Sequence, residues 1–157
     1  MVPSAKKTGG RGITLFTIGF AGKSAEEFFS ALKQAGVRTI LDVRLSNSSQ
    51  LAGFTKKNDL IYFLREIGGI EYRHCVDLAP SMELFESYKR RKKMKWDDFA
   101  DGFLALMKER RPDKTYRPEE LDRACLLCSE PKPEDCHRRL VVEYLHDHWG
   151  NVTIEHL

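Results

Sequence analysis

The stretch from Cys125 to Arg139 concentrates the reactive side chains of this sequence. It reads Cys125-Leu126-Leu127-Cys128-Ser129-Glu130, then two prolines, then Cys136-His137-Arg138-Arg139. A helix is expected from about Glu134 to Trp149, which puts Cys136 in its first turn. The helix dipole favours negative charge there, and His137 and Arg138 follow directly, so Cys136 is a candidate thiolate nucleophile. Backbone amides at the same helix end can hold an anion. Glu134 and Asp135 oppose both effects by repulsion, and the plainer alternative makes Cys136 a small buried hydrophobe. Glu130, just past an apolar strand, suits a general acid or base, or a ligand for an amine or ribose. Its plainer alternative is a loop charge paired with an arginine. Arg138 suits an anion clamp, or an ion pair with Asp42 or Glu130.

Zinc is a natural question for Cys125, Cys128, Cys136 and His137. Cys125 and Cys128 fall within an apolar strand, where residues three apart point to opposite faces. The four donors are therefore not expected to converge, and no metal or other cofactor is expected. The same placement argues against a Cys-x-x-Cys redox pair, which belongs at a helix start. A Cys128–Cys136 disulfide is geometrically easier, but free thiols are the expectation without an export signal.

These residues need a frame, and the chain alternates strand and helix. Apolar runs at Ile13–Phe20, Arg38–Val43, Ile70–Cys75, Cys125–Cys128 and Val152–Ile154 read as strands, the first buried on both faces. Ser24 and Glu27 form a capping box that opens a helix stopped by Gly36. Lys57–Ile67 is a second amphipathic helix, ended by Gly68 and Gly69. Met82–Lys95 and Trp96–Arg111 carry helical spacing, and Pro112–Pro118 reads as a loop. The expected fold is α/β with three layers: a mostly parallel sheet of about five strands, helices on both faces, and a helical excursion between strands 3 and 4. Residues 1–12 read as a flexible arm and 13–157 as one domain.

In such sheets, ligands bind beyond the carboxyl ends of the strands. That rule gathers Arg44, Asn47, Ser48 and Ser49 after the second strand, His74 after the third, and Cys128 after the fourth. With His137 and Arg138 these are the candidate substrate-binding residues; Glu130 and Cys136 are the candidate catalytic ones. A separate basic run, Lys89-Arg90-Arg91-Lys92-Lys93 with Lys95 and Trp96, offers phosphate contacts and a stacking surface. Its plainer alternative is a solvated helix face with Trp96 in the core, and Asp97, Asp98 and Asp101 balance its charge.

The chain has 157 residues, 41% hydrophobic and 31% charged, with a net charge of +3. That composition suits one globular domain and excludes a disordered chain. The charge is too small to announce a nucleic-acid protein by itself. No apolar run approaches the roughly 20 residues that cross a bilayer, and the first residues lack a signal peptide's apolar stretch. A cytoplasmic protein with no membrane partner is expected.

The chain resembles the bacterial and archaeal family catalogued as domain of unknown function 488. The resemblance runs from about Thr14 to the C-terminus. It rests on Thr17-Ile18-Gly19, Leu41-Asp42-Val43-Arg44, Tyr72 and His74, and most specifically on Cys128-Ser129-Glu130 followed by Cys136-His137-Arg138. Phe20-Ala21 stand where the family usually has His-Ser, the Leu45–Ser49 loop where a Pro and Ser commonly follow, and Ala79-Pro80 where a Gly pair is frequent. The resemblance implies an α/β fold and a site, with no reaction attached. Asp42-Val43-Arg44 is also similar to the opening of rhodanese domains, an analogy of fold alone.

The leading expectation is an enzyme, a hydrolase or a transferase, with its site at the carboxyl edge of the sheet. Its substrate would be phosphate-bearing or otherwise anionic, nucleotide or nucleic-acid related, and its chemistry that of a Glu acid/base or a Cys thiolate. The alternative is a non-catalytic nucleic-acid-binding module that uses the run 89–95. The residues set no oligomeric state.

Overall fold

The computed structural model of the chain describes residues 12–48 and 53–157. The expected arm, residues 1–12, lies outside them except for Gly12, and so does Ser49. Five strands form one sheet: β1 (Ile13–Gly19), β2 (Thr39–Asp42), β3 (Glu71–His74), β4 (Ala124–Cys128) and β5 (Val152–His156). Their order is β3-β2-β4-β1-β5, and every pairing is parallel. The expected three-layer α/β architecture is present.

Period-2 alternation divides the core in two. Leu15, Leu41, Val43, Ala124, Leu126 and Cys128 face α4 (Trp96–Arg110) and α7 (His137–Trp149). Phe16, Ile18, Ile40, Cys125 and Leu127 face α1 (Ala25–Ala35) and α2 (Lys57–Gly68). Cys125 and Cys128 therefore point to opposite faces, as their spacing requires. The capping box of α1 forms as expected: Ser24 Oγ accepts from the Glu27 N–H, and the Glu27 carboxylate takes the Ser24 N–H. Gly36 ends α1 at φ 76°, a left-handed conformation that glycine adopts without a Cβ clash.

In the excursion between β3 and β4 the expected helix Trp96–Arg111 is present as α4, but Met82–Lys95 is not one long helix. α3 (Met82–Phe85) runs directly into a π-helical turn, Glu86–Arg90, closed by Arg91 N–H on the Glu86 carbonyl at 2.9 Å. The chain then leaves the helix through Lys92, at φ 53°, and restarts at α4. The expected Pro112–Pro118 loop holds one helical turn, α5 (Pro112–Thr115), and a second, α6 (Pro118–Leu121), starts at its end; each is opened by a proline at its first position. Among the described residues no helix is long and apolar enough to cross a membrane.

Adjacent strands β1 and β4 send their helices to opposite faces, α1 to one and α7 to the other. This opens a crevice beyond their carboxyl ends. Gly19 pairs with Cys128 across it, and the N–H groups of Phe20 and Ala21 donate to the carbonyls of Cys128 and Ser129. A Cβ on Gly19 would lie 1.6 Å from the Glu130 carbonyl oxygen. Only glycine lets the 128–130 strand exit pass this close. Gly19→Ala is expected to cost about 1–3 kcal/mol, as overpacking does, because backbone rather than a flexible side chain must move. Urea unfolding of the variant checks this.

Candidate functional site

Three strand ends define the site: Phe20 after β1, Arg44–Ser46 after β2, and Cys128–Glu130 after β4. The start of α7 and the π-helical turn close it. Together they line a cavity of about 340 Å³. Its lining includes the buried Arg44, Cys128, Cys136 and His137; Lys89, Arg90, Glu130 and Asp135 add charge, and Phe20, Phe85, Tyr88, Trp96 and Phe99 supply aromatic walls, Phe20 and Phe99 buried as well.

His137 begins α7, and its Nε2 lies 2.7 Å from the Val43 carbonyl oxygen. A carbonyl only accepts, so Nε2 carries the hydrogen and Nδ1 presents a lone pair in the neutral ring. Nδ1 lies 3.9 Å from Cys128 Sγ. This is a thiol facing a base that a third group orients, the arrangement that activates a nucleophile. A hydrogen bond from the Cys136 thiol pulls Cys128 down most strongly. Burial opposes it, while the N–H groups of Ser129 and Glu130 and the Arg138 charge add to it, and Cys128 comes down from 9.0 to about 7. Its donation to Cys128 raises Cys136, and burial and the Cys128 charge raise it further.

This reverses the sequence expectation for the thiolate. Cys136 sits one residue before α7 in extended backbone, as its N-cap, with no side-chain capping bond. Cys136 is the raised member of the thiol pair, and Cys128, whose sulfur faces His137 Nδ1, is the lowered one. Three of the four donors considered for zinc do converge: the ligating atoms of Cys128, Cys136 and His137 lie within 4.8 Å of one another. A soft cation held there would take the place of the Cys136 proton and ionise both thiols. Cys75, by contrast, is packed in the core, and burial pushes its thiol up to about 11.

The other expected residues divide. Arg44 lies at the cavity but is held from behind: its Nε and Nη2 grip the Asp42 carboxylate at 2.8 and 2.7 Å, and Nη2 also donates to the Thr55 carbonyl. Its Nη1 is buried with no hydrogen-bond partner among the described residues. Glu130 lines the cavity in an ion pair with Lys89. Arg138 is not a clamp in the cavity. It is fully buried, and Nη1 donates to the Glu130 carbonyl at 2.8 Å, fixing the strand exit that Gly19 leaves room for. Asn47 donates to the Tyr72 hydroxyl, and the Ser48 and Ser46 hydroxyls lie 3.4 Å apart; neither Asn47 nor Ser48 lines the cavity. His74 Nε2 donates to the Arg44 carbonyl at 2.8 Å and supports the loop from outside. Ser49 is outside the described residues.

Of the basic run, Lys89, Arg90 and Trp96 reach the cavity, while Arg91, Lys92, Lys93 and Lys95 are exposed beyond it. Trp96 lines the cavity and is stacked on Phe99 at 5.5 Å, the core packing of its plainer reading. Phe85 and Tyr88 were not among the sequence candidates. Their helical spacing signals an inward face, but not that this face borders a cavity.

Fold and site together define a three-layer parallel α/β protein with a buried thiol–imidazole pair at the carboxyl edge of its sheet. The chain belongs to the family described as domain of unknown function DUF488, whose sequence profile matches residues 24–145. That span contains the Asp42–Arg44, Cys128–Glu130 and Cys136–Arg138 segments. Comparison with curated proteins and with solved structures gave no match.

Asp42 carries much of this edge. It is fully buried, and besides Arg44 it accepts from the Tyr72 hydroxyl at 2.6 Å. Asp42→Ala strands the Arg44 guanidinium, and a loss of about 3–5 kcal/mol is expected in denaturant unfolding. Pairing it with Arg44→Met is expected to recover part of that loss, because no unpaired buried cation remains.

Proposed function

We propose that this chain is an enzyme that transfers or hydrolyses a group of a phosphate-bearing or otherwise anionic substrate, with Cys128 as nucleophile. The observation that carries this reading is the His137 ring, tied through Nε2 to Val43 and facing Cys128 Sγ through Nδ1 at 3.9 Å. In the reaction Nδ1 takes the thiol proton. Sulfur forms a bond to the electrophilic centre of the substrate, and the leaving group departs with its bonding electrons and recovers that proton from the imidazolium. Water or a second acceptor then takes the group from sulfur, which closes the cycle as hydrolysis or transfer.

An anion is favoured by the cationic lining. Arg44 offers a buried nitrogen with no hydrogen-bond partner among the described residues, and Lys89 and Arg90 line the same cavity, along with the carboxylates of Glu130 and Asp135. Glu130, engaged by Lys89, serves as a proton acceptor or as the group that positions Lys89. The four cysteines are buried free thiols, which suits a reducing compartment such as the cytoplasm.

The test is a panel of phosphate monoesters, diesters and nucleotides assayed for turnover. Wild-type turnover is expected to vanish in Cys128→Ser and to fall about 10²–10⁴-fold in His137→Gln, the usual contribution of a general base. Turnover that survives Cys128→Ser but is lost in Glu130→Gln would replace the thiolate mechanism with a carboxylate one.

A further inference from the structure

The basic run is the feature that a small anionic substrate leaves unexplained. The chain leaves the cavity at Arg90 and returns to it at Trp96. Between them Arg91, Lys92, Lys93 and Lys95 are exposed, with no ion-pair partner among the described residues. The loop is structured: the Lys93 N–H donates to the Ser87 carbonyl at 3.0 Å, which folds the cations back over the π-helical turn. Tyr88 and Trp96 flank this loop in sequence, and both line the cavity while packing on each other and on Phe99. Asp97 and Asp98 fall in the first turn of α4, where they satisfy the positive end of the helix.

We infer that the substrate is a single-stranded nucleic acid, held by its backbone along Arg91–Lys95, with one nucleotide inserted between the aromatic walls of the cavity. The inference rests on the cavity being the reaction site and names the substrate class. A run of exposed cations matches a chain of phosphates, and aromatic side chains lining the cavity match an unstacked base. At about 340 Å³ the cavity is near the lower limit for small-molecule sites, about 300–1,000 Å³. It suits one nucleotide and leaves the rest of the strand on the rim. A duplex would first have to release its base from the stack.

Fluorescein-labelled 12-nucleotide DNA and RNA strands, titrated by anisotropy at 50 and 200 mM NaCl, test the rim. Each phosphate contact to a single strand contributes about 0.7 to the log–log salt slope, so four contacts predict a loss of affinity of about fifty-fold across that range. The Arg91→Gln/Lys92→Gln/Lys93→Gln/Lys95→Gln variant should lose most of this dependence. Iodoacetamide alkylation of Cys128 tests the cavity: the strand should slow it, and heparin, a polyanion without bases, should not. No binding of either strand, binding unchanged in the quadruple variant, equal or tighter binding of a duplex, or protection by heparin alone would each overturn the inference. A Cys128 that resists alkylation in the free protein would count against the thiolate mechanism, and the anisotropy results would still decide the strand.

Discussion

The hydrogen bond from His137 Nε2 to the Val43 carbonyl joins the start of α7 to the end of β2, reaching past β4. The site depends on it in two ways. It fixes the ring so that the remaining nitrogen, Nδ1, faces Cys128. It also anchors the helix that brings Cys136 against the same sulfur. Val43 can accept because β2 has ended: its own N–H still donates to the Leu127 carbonyl, but its carbonyl lies beyond the last strand pairing. The nucleophile, its base and its thiol donor are therefore all set by where two parallel strands stop.

Two buried arginines support this edge in different ways. Arg44 is neutralised by Asp42, a bidentate pair inside the protein whose geometry restores part of the cost of removing both charges from water. Among the described residues Arg138 has no carboxylate partner. One nitrogen donates to the Glu130 carbonyl, and two others, Nε and Nη2, are buried with no hydrogen-bond partner among those residues. Burial lowers Lys23 and His156, and the Arg138 charge lowers both further; the same charge favours the Cys128 anion. An uncompensated cation beneath the sheet edge makes a thiolate at Cys128 less costly than in an apolar core.

Much of the frame was legible in the sequence because it follows from local rules. Alternating apolar runs and caps gave the strands, α1 and α2. The carboxyl-edge rule gathered Arg44, Cys128, Glu130, Cys136 and His137, which do share one cavity. What failed were inferences that needed a neighbour distant in sequence. The helix-dipole argument chose Cys136, but the helix starts one residue later, and the thiolate is decided by contacts across the 128–136 loop. Arg138 read as a clamp because nothing local showed it turning inward to a carbonyl. Asn47 and His74 read as pocket residues, yet they brace the loop around Arg44. Met82–Lys95 read as one helix, since its spacing does not reveal the π-helical turn that aims Tyr88 and Lys89 at the cavity.

The central claim is that Cys128, not Cys136, is the thiolate. A folded-state value below 9.0 means that the anion is favoured by the fold. The resulting stabilisation is complete above pH 9 and is lost as pH falls through about 7. The direct measurement is the rate of iodoacetamide alkylation at each cysteine, resolved by peptide mass spectrometry from pH 5 to 10. Cys128 is expected to react first with a midpoint near pH 7, and Cys136 only when the pH is far higher. A Cys128 midpoint near 9, or faster reaction at Cys136, would contradict the account.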